Sequence, residues 1–261
     1  MPSDSKPPVV SVQDVSITYR TSFEKRPTLK DAVVRLGRGQ RSVREVKAVQ
    51  NVSFDVPQGT VLGIVGSNGA GKSTLVRAIA GILPPTSGRI EVRGKVSTLL
   101  ALGVGFNGAM SGQENVMLGG LAAGYTRDEI AEKYREIADF ADIGEDFMEM
   151  PMKTYSSGMF SRLAFAVAVH MEPDILLVDE ALSAGDAKFK EKAAEKMRSL
   201  VAEARTMFLV SHALQSITDL CNDAIWLNKG TMMMRGEPTD VVKEYTKFVR
   251  VGESAYTLED M

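Results

Sequence analysis

The feature that most constrains this chain is the stretch of residues 66–74, which has the sequence Gly-Ser-Asn-Gly-Ala-Gly-Lys-Ser-Thr. A glycine, four residues and then Gly-Lys-Ser is the pattern of a phosphate-binding loop, in which glycines let backbone N–H groups turn inward around a polyphosphate. A buried parallel strand over residues 61–65 is predicted before it, and a helix after it. We expect Lys72 to reach the β- and γ-phosphates and the Ser73 hydroxyl to ligate Mg²⁺. The residues predicted to bind the nucleotide are Gly66, Ser67, Asn68, Gly69, Ala70, Gly71, Lys72, Ser73 and Thr74.

The overall composition is that of an ordinary globular protein. The chain has 261 residues, 25% of them charged, and a formal net charge of −2, so it offers no general attraction to nucleic acid. Its one cysteine, Cys221, cannot form an internal disulfide and is predicted to pack beside a helix. No apolar segment approaches the ~20 residues that span a bilayer, and the N-terminus lacks the apolar core of a signal peptide. A membrane role therefore requires a partner or surface contact.

Two further predicted strands end in polar residues. The apolar run 175–178 is followed by Asp179 and Glu180, and the run 207–210 is followed closely by His212. Parallel strands bring their carboxyl ends to one edge of a sheet, so these residues are predicted to lie near the loop. There Asp179 could hold Mg²⁺, Glu180 could polarise a water molecule and His212 could contact the γ-phosphate. The alternative is that the two carboxylates form a structural ion pair.

The segment before the loop contains an aromatic residue and a basic stretch. Tyr19 ends a strand predicted over residues 9–19, where it could stack on an adenine or simply close the strand. Residues 20–47 hold nine basic and three acidic residues and include a short amphipathic helix pattern. Such a helix can lie on an anionic membrane surface or near an anionic ligand, or it can pack on its own domain as a solvated insertion. Both interpretations of this segment stay open.

Helical periodicity dominates the middle of the chain. Helices are predicted over residues 114–123, 126–143 and 157–171, and Thr126 with Glu129 forms a capping box before the second of them. Strand patterns return after this region. The sequence therefore predicts a helical insertion between two parts that contain strands.

A five-residue motif ahead of the carboxylate strand carries a family resemblance. Tyr155, Ser156, Ser157, Gly158 and Met159 resemble the signature motif of ABC-transporter nucleotide-binding domains, usually Leu-Ser-Gly-Gly-Gln, with Tyr, Ser and Met as departures. The order of all the motifs is similar to that family over nearly the whole chain. The resemblance implies an α/β P-loop NTPase of the ABC ATPase fold, with a RecA-like core, an antiparallel β subdomain and an inserted helical subdomain. We expect one ABC ATPase domain over residues 1–261. Its core and β subdomain are expected over 1–106 and 173–250, with the basic insertion at 20–47. The helical subdomain is expected over 107–172, and a tail over 251–261.

The family's functional residues can be placed on this sequence. The resemblance implies a homodimer in which each ATP contacts Tyr19, Lys72 and Ser73 of one copy and the signature motif of the other. It further implies that Glu180 is the catalytic base, that His212 contacts the γ-phosphate, that Asp179 holds Mg²⁺ through water and that Asp186 crosses the dimer interface. The glutamine usual after the third sheet strand is missing, and Asn107 is the residue closest to its place.

A narrower resemblance concerns the transported substrate. The signature motif and residues 102–106, 114–116 and 225–227 look like those of ATP-binding subunits of bacterial polysaccharide exporters, which serve O-antigen, teichoic-acid and cell-wall galactan export. This implies a peripheral ATPase at the cytoplasmic face of the cell membrane, bound to an integral membrane permease in two copies. The substrate implied is a polyprenyl-pyrophosphate-linked glycan, and no nucleic acid.

The remaining expectations concern the length of the chain and two alternative functions. The chain leaves no room for a C-terminal carbohydrate-binding domain, which favours an uncapped glycan, with galactan ahead of other polymers. One alternative is the ATPase subunit of another ABC transporter. Another is a soluble ABC protein that acts on ribosomes or DNA, although this chain has neither a second cassette nor a long coiled coil.

Overall fold

The computed structural model describes residues 7–22, 43–99, 103, 105–179, 186–203, 205–211 and 213–252. The predicted helix in the basic insertion, Glu180 and His212 lie outside these described residues. The strands are β1 (Val10–Ser22), β2 (Val43–Val56), β3 (Val61–Val65), β4 (Ser87–Val92), β5 (Val96–Thr98), β6 (Ile175–Asp179), β7 (Thr206–Val210), β8 (Asp223–Asn228) and β9 (Thr231–Gly236). The helices are α1 (Lys72–Ile79), α2 (Gly112–Ala122), α3 (Arg127–Ala141), α4 (Glu145–Glu149), α5 (Ser157–His170), α6 (Ala187–Ala202), α7 (Leu214–Leu220) and α8 (Pro238–Val251).

The strands form two sheets. A three-stranded antiparallel sheet has the order β2-β1-β4, and a six-stranded sheet has the order β5-β6-β7-β3-β8-β9. All neighbours in the larger sheet are parallel except β8 and β9. The predicted adjacency of the three strands that end in polar residues is confirmed, because β6, β7 and β3 are consecutive in this sheet.

The apolar runs of the sequence occupy the centre of the larger sheet. Every residue of β3 and β7 is buried, as expected for parallel strands covered on both faces. One face packs on α1 and the smaller sheet, and the other packs on the helices of the middle region. The side chains of Leu62 and Ile64 point to the first of these cores, and Val61 and Val65 to the second. β3 is therefore packed on both faces, and the phosphate-binding loop begins at the end of this fixed strand.

Capping boxes begin both long helices of the middle region. The predicted box before α3 is confirmed: Thr126 Oγ1 accepts from Glu129 N–H at 3.3 Å, and Glu129 Oε2 accepts from Thr126 N–H at 2.7 Å. The structure adds a second box before α2, formed by Ser111 and Glu114. Helix α2 therefore begins at Gly112, two residues earlier than the predicted start at Glu114. Among the helices of the described ranges, none is long and apolar enough to cross a membrane.

Two details add to the sequence-based expectation. The sequence predicts one or two strands over residues 46–56, and the structure has one, β2, which begins three residues earlier, at Val43. The short helix α4 was not predicted, because five residues are too few to show helical periodicity. Other element bounds agree with the predictions to within a few residues.

Cys221 has the packing role predicted for it, and His170 has a structural role as well. His170 is buried, its Nδ1 lies 2.9 Å from the Ala166 carbonyl oxygen, and burial lowers its pKa. Cys221 follows α7, and burial raises the pKa of its thiol to about 12. Its Sγ is one of the atoms that crowd Gly63, where an added Cβ would lie 3.1 Å away. Both side chains serve packing.

Candidate nucleotide-binding site

Three glycines shape the loop between β3 and α1. Gly66, Gly69 and Gly71 have φ angles of 151°, 80° and 101°. Gly71 is the N-cap of α1, and no side chain caps the N–H groups of this helix or adds an acidic group to its first turn. The uncapped N–H groups and the positive helix end face the loop together, which is a favourable environment for a phosphate group.

Lys72 folds back over the same loop. Its side chain is buried, and Nζ donates to the carbonyl oxygens of Gly66 and Ser67 at 2.8 and 3.1 Å. These two bonds hold the ammonium group in the concave side of the loop. A cation in that position suits the β- and γ-phosphates that the sequence pattern predicts. Ser73, in the first turn of α1, places a hydroxyl beside it, which is a suitable oxygen donor for Mg²⁺.

Tyr19 lies on the opposite wall of a cleft above this loop. The cleft has a volume of about 540 Å³, and Tyr19 Oη lies 3.4 Å from Thr74 Oγ1. The Tyr19 ring is 37% exposed, so its face is accessible for stacking. The lining residues are Tyr19, Val46, Lys47, Ala48, Asn68, Gly69, Ala70, Gly71, Lys72, Ser73 and Thr74. The cleft therefore joins the predicted stacking residue to seven of the nine predicted loop residues.

Sequence reasoning missed the wall formed by residues 46–48. These residues face the cleft because β2 pairs with β1 beside it, with Val46 opposite Tyr19. The segment between the two strands separates them by more than twenty positions in the sequence, and no local pattern reveals the pairing. Sequence analysis could have found this wall only by assuming that the smaller sheet lies beside the phosphate-binding loop.

Backbone contacts hold the phosphate-binding loop from two sides. A Cβ added to Gly71 would lie 2.1 Å from the Ala48 carbonyl oxygen, so β2 approaches the loop closely. Gly230, in the β8–β9 turn, donates its N–H to the Ala70 carbonyl at 2.9 Å and accepts from Gln50 N–H at 2.8 Å. The loop is thus held between the smaller sheet and the last hairpin of the larger sheet.

The register of the larger sheet aligns the three strand ends. Asp179 pairs with Val210, and Val210 pairs with Ile64, two residues before Gly66. The backbone of Asp179 therefore lies two strands from the start of the loop. In the sequence Glu180 comes directly after β6 and His212 comes two residues after the end of β7, and both lie outside the described residues. Their predicted roles, and that of the Asp179 side chain, stay predictions.

The signature motif begins α5. Ser156 is the N-cap, and its Oγ accepts from Met159 N–H at 3.2 Å. Tyr155, which stands where the family usually has Leu, donates from its hydroxyl to the Phe147 carbonyl at 2.5 Å, and burial raises its pKa. Around Gly158 the nearest atom to an added Cβ is Ser156 Oγ at 3.8 Å. Among the described residues, those lining the Tyr19 cleft include none of residues 155–159.

Asp186 and Asn107 have local hydrogen-bonding roles. Asp186 is the N-cap of α6: its Oδ1 accepts from Phe189 N–H at 2.8 Å, and its Oδ2 lies 4.0 Å from Arg162 Nη1 of α5. Asn107 Oδ1 accepts from Ala109 N–H at 3.0 Å. The interface role that the resemblance implies for Asp186, and Mg²⁺ binding by Asn107 in place of the missing glutamine, stay predictions.

Asn115 organises the loop that carries Asn107. Its side chain is fully buried, and Oδ1 accepts from Asn107 N–H at 2.6 Å. Its Nδ2 donates to the carbonyl oxygens of Asn107, Met110 and Ser111 at 3.0, 3.2 and 2.8 Å. A single amide thereby satisfies four backbone groups of one loop.

We expect Asn115→Ala to lower the free energy of unfolding by about 2–4 kcal/mol, because it removes all four hydrogen bonds of a fully buried amide, including the one that accepts from the Asn107 N–H. Urea unfolding measures the loss. The matched control is Gln113→Ala on the exposed face of the same helix, which we expect to change stability by less than about 0.5 kcal/mol. Equal effects of the two substitutions would contradict the structural role of Asn115.

Comparison with known proteins identifies the family. Residues 49–183 match the family described as ABC transporter, and this range includes the loop and the signature motif. The ABC transporter protein AbcA of Aeromonas salmonicida is 41% identical over 209 residues, which cover 80% of this chain and 68% of that protein. The chain belongs to the ABC transporter family.

Other relatives have export functions in their names. The O-antigen export system ATP-binding protein RfbB of Myxococcus xanthus is 40% identical over 92% of this chain and 55% of its own length. The teichoic acids export ATP-binding protein TagH of Bacillus anthracis is 44% identical over 89% of this chain and 41% of its own length. The chain thus spans about half the length of these two relatives.

A solved structure supports the fold. The ATP-binding cassette MJ0796, determined as a dimer bound to ADP and Pi, superposes with a TM-score of 0.68 at 21% identity, covering 88% of this chain and 98% of that one. The predicted fold class, a P-loop ABC ATPase fold, is confirmed.

Proposed function

We propose that this chain is the ATP-binding and ATP-hydrolysing subunit of an ABC exporter that moves a lipid-linked polysaccharide of the O-antigen or teichoic-acid type across the cytoplasmic membrane. The observation that carries the proposal is the cleft between Tyr19 and the glycine loop, in a chain 40–44% identical to ATP-binding proteins of those two export systems. The cleft is the proposed nucleotide site, and the export functions named for the two relatives indicate the class of transported substrate.

The chemistry proposed for the site depends on positioning. The loop N–H groups and Lys72 bind the phosphate chain, and Tyr19 stacks on the base. Ser73 directly and Asp179 through water would hold Mg²⁺, which would neutralise charge on the phosphates. Glu180 accepts a proton from the attacking water, and His212 orients the γ-phosphate.

The second half of the site is proposed to come from another copy of the chain. Ser156 and Gly158 are partly or fully accessible at the start of α5, and the packing around Gly158 leaves room for an approaching group. The N-terminus of this helix is suited to bind the γ-phosphate of an ATP held by the partner copy. Such an arrangement makes a homodimer with two shared sites, and Asp186 contributes to its interface.

The proposed class of transported substrate also indicates the partners of this chain and its location. We propose that the homodimer binds peripherally at the cytoplasmic face, on two copies of an integral membrane permease. The basic segment 20–47 is proposed to attract the pyrophosphate of the polyprenyl-linked glycan. Within this class, cell-wall galactan is the narrower proposal, and the signature motif and residues 225–227 resemble those of the class as a whole.

Depletion of this protein in its native cell tests the proposal. We expect one polyprenyl-linked polymer to accumulate on the cytosolic side while the same polymer disappears from the cell surface. Composition analysis of the accumulated polymer decides between galactan and other glycans. Normal surface glycans without accumulation would exclude the polysaccharide exporter and favour another ABC transporter.

A further inference from the structure

The wall of the nucleotide cleft opposite the loop carries a cation, Lys47, the last basic residue of segment 20–47, to which the proposed ATP chemistry gives no role. Lys47 lies on β2, is exposed, and is one of the residues that line the cleft. It pairs with Thr18 on β1, next to the pair formed by Tyr19 and Val46. Lys47 therefore belongs to the same wall as the stacking residue.

The backbone around Lys47 is fixed close to the phosphate-binding loop. The next residue, Ala48, has its carbonyl oxygen so near Gly71 that an added Cβ would lie 2.1 Å from it. Gln50, three residues on, is bonded through Gly230 to the loop carbonyl of Ala70. Lys47 lines the same cleft as Lys72, Ser73 and Thr74 at the start of α1.

The charges around Lys47 leave its ammonium group available to a ligand. Among the eleven residues that line the cleft, the two charged ones are Lys47 and Lys72, both cations. Glu45, the nearest acidic residue on β2, is paired with Arg20 at 3.0 Å. Lys72 is occupied with its own loop, whereas within the described part of the chain Lys47 forms no ion pair. Among the described residues that line the cleft there are thus two cations and no acidic residue, and Lys47 is the exposed one of the two.

We propose that Lys47 is a second phosphate-binding residue of this cleft, which contacts the phosphate chain of the nucleotide from the side opposite Lys72. This inference rests on the proposed nucleotide-binding function and adds a residue that the loop pattern does not contain. An exposed cation beside a polyphosphate contributes modestly, so its loss is expected to weaken binding about tenfold at low salt. The contribution is electrostatic, so it decreases as the salt concentration rises.

Binding of Mg²⁺-ATP to the purified chain, measured by calorimetry at low and high salt, tests the proposal. We expect Lys47→Met to weaken binding about tenfold at low salt and to reduce the salt dependence of the dissociation constant, while Lys47→Arg stays within about threefold of the wild type. The control is Lys243→Met, which removes the same charge from the exposed surface of α8 and should leave both quantities unchanged.

The outcomes separate this inference from the function on which it rests. A wild-type chain that does not bind Mg²⁺-ATP refutes the nucleotide site itself. A wild type that binds, together with Lys47→Met at wild-type affinity, overturns the role of Lys47 alone. Weaker binding with an unchanged salt dependence also overturns it, because a purely structural effect of the substitution does not change the number of charges that contact the ligand.

Discussion

Glu180→Gln is expected to lower ATP turnover by about 10²–10⁴-fold while leaving ATP binding near the wild-type value, because it removes a general base but keeps the shape of the side chain. The sheet register supports this position: Asp179 pairs with Val210, and Val210 pairs with Ile64, two residues before the loop. A carboxylate one residue beyond Asp179 is therefore expected at the edge where the phosphates bind.

Phosphate release at saturating ATP, with a parallel binding titration, measures the effect of Glu180→Gln. The control is Glu195→Gln, the same chemical change on the exposed face of α6, which we expect to leave turnover unchanged. Near-normal turnover of the Glu180 variant would exclude this residue as the base. A parallel loss of binding would instead indicate a role in holding the nucleotide.

Gly71→Ala is expected to weaken ATP binding by about 100-fold or more. The residue has φ of 101°, and its new Cβ would lie 2.1 Å from the Ala48 carbonyl oxygen, so either β2 or the loop must move. Movement of the loop misdirects the N–H groups that bind phosphate, and the left-handed conformation costs a further ~1–2 kcal/mol. Titration with ATP and thermal unfolding together separate loss of binding from loss of fold.

Gly69→Ala is the matched control for this substitution. Gly69 also has a positive φ, 80°, but in the described part of the chain no atom beyond its two chain neighbours lies within 4 Å of an added Cβ. This variant bears only the conformational cost, so we expect its binding to fall by about tenfold or less. Equal losses in the two variants would contradict the claim that the contact with β2 sets the loop geometry.

The nucleotide-binding half of the fold was predictable because its signals are local. The glycine pattern, the apolar run of β3 and the strand that ends at Asp179 each lie within a few residues, and strand adjacency follows from the rules of parallel sheets. The capping box at Thr126 and Glu129 is equally local, and the structure confirms it.

The rest of the site depends on contacts between distant segments. Lys47 lines the cleft because β2 pairs with β1 beyond an intervening segment, and Asn115 holds a loop whose backbone groups come from residues before its own helix. Neither contact produces a periodic pattern in the sequence, so neither could be predicted from it. The cap that Asp186 forms on α6 is local, and the Asp-x-x-Phe spacing could have predicted it from the preference for Asp at N-caps.

The most direct test of the account is complementation of cells depleted of this protein, with the lipid-linked glycan on the cytosolic side as the measured quantity. We predict that the wild-type gene removes the accumulated polymer and restores it at the surface, whereas Glu180→Gln, expressed at the same level, leaves the polymer inside. Export restored by Glu180→Gln would contradict the central claim that ATP hydrolysis at this site drives the transport.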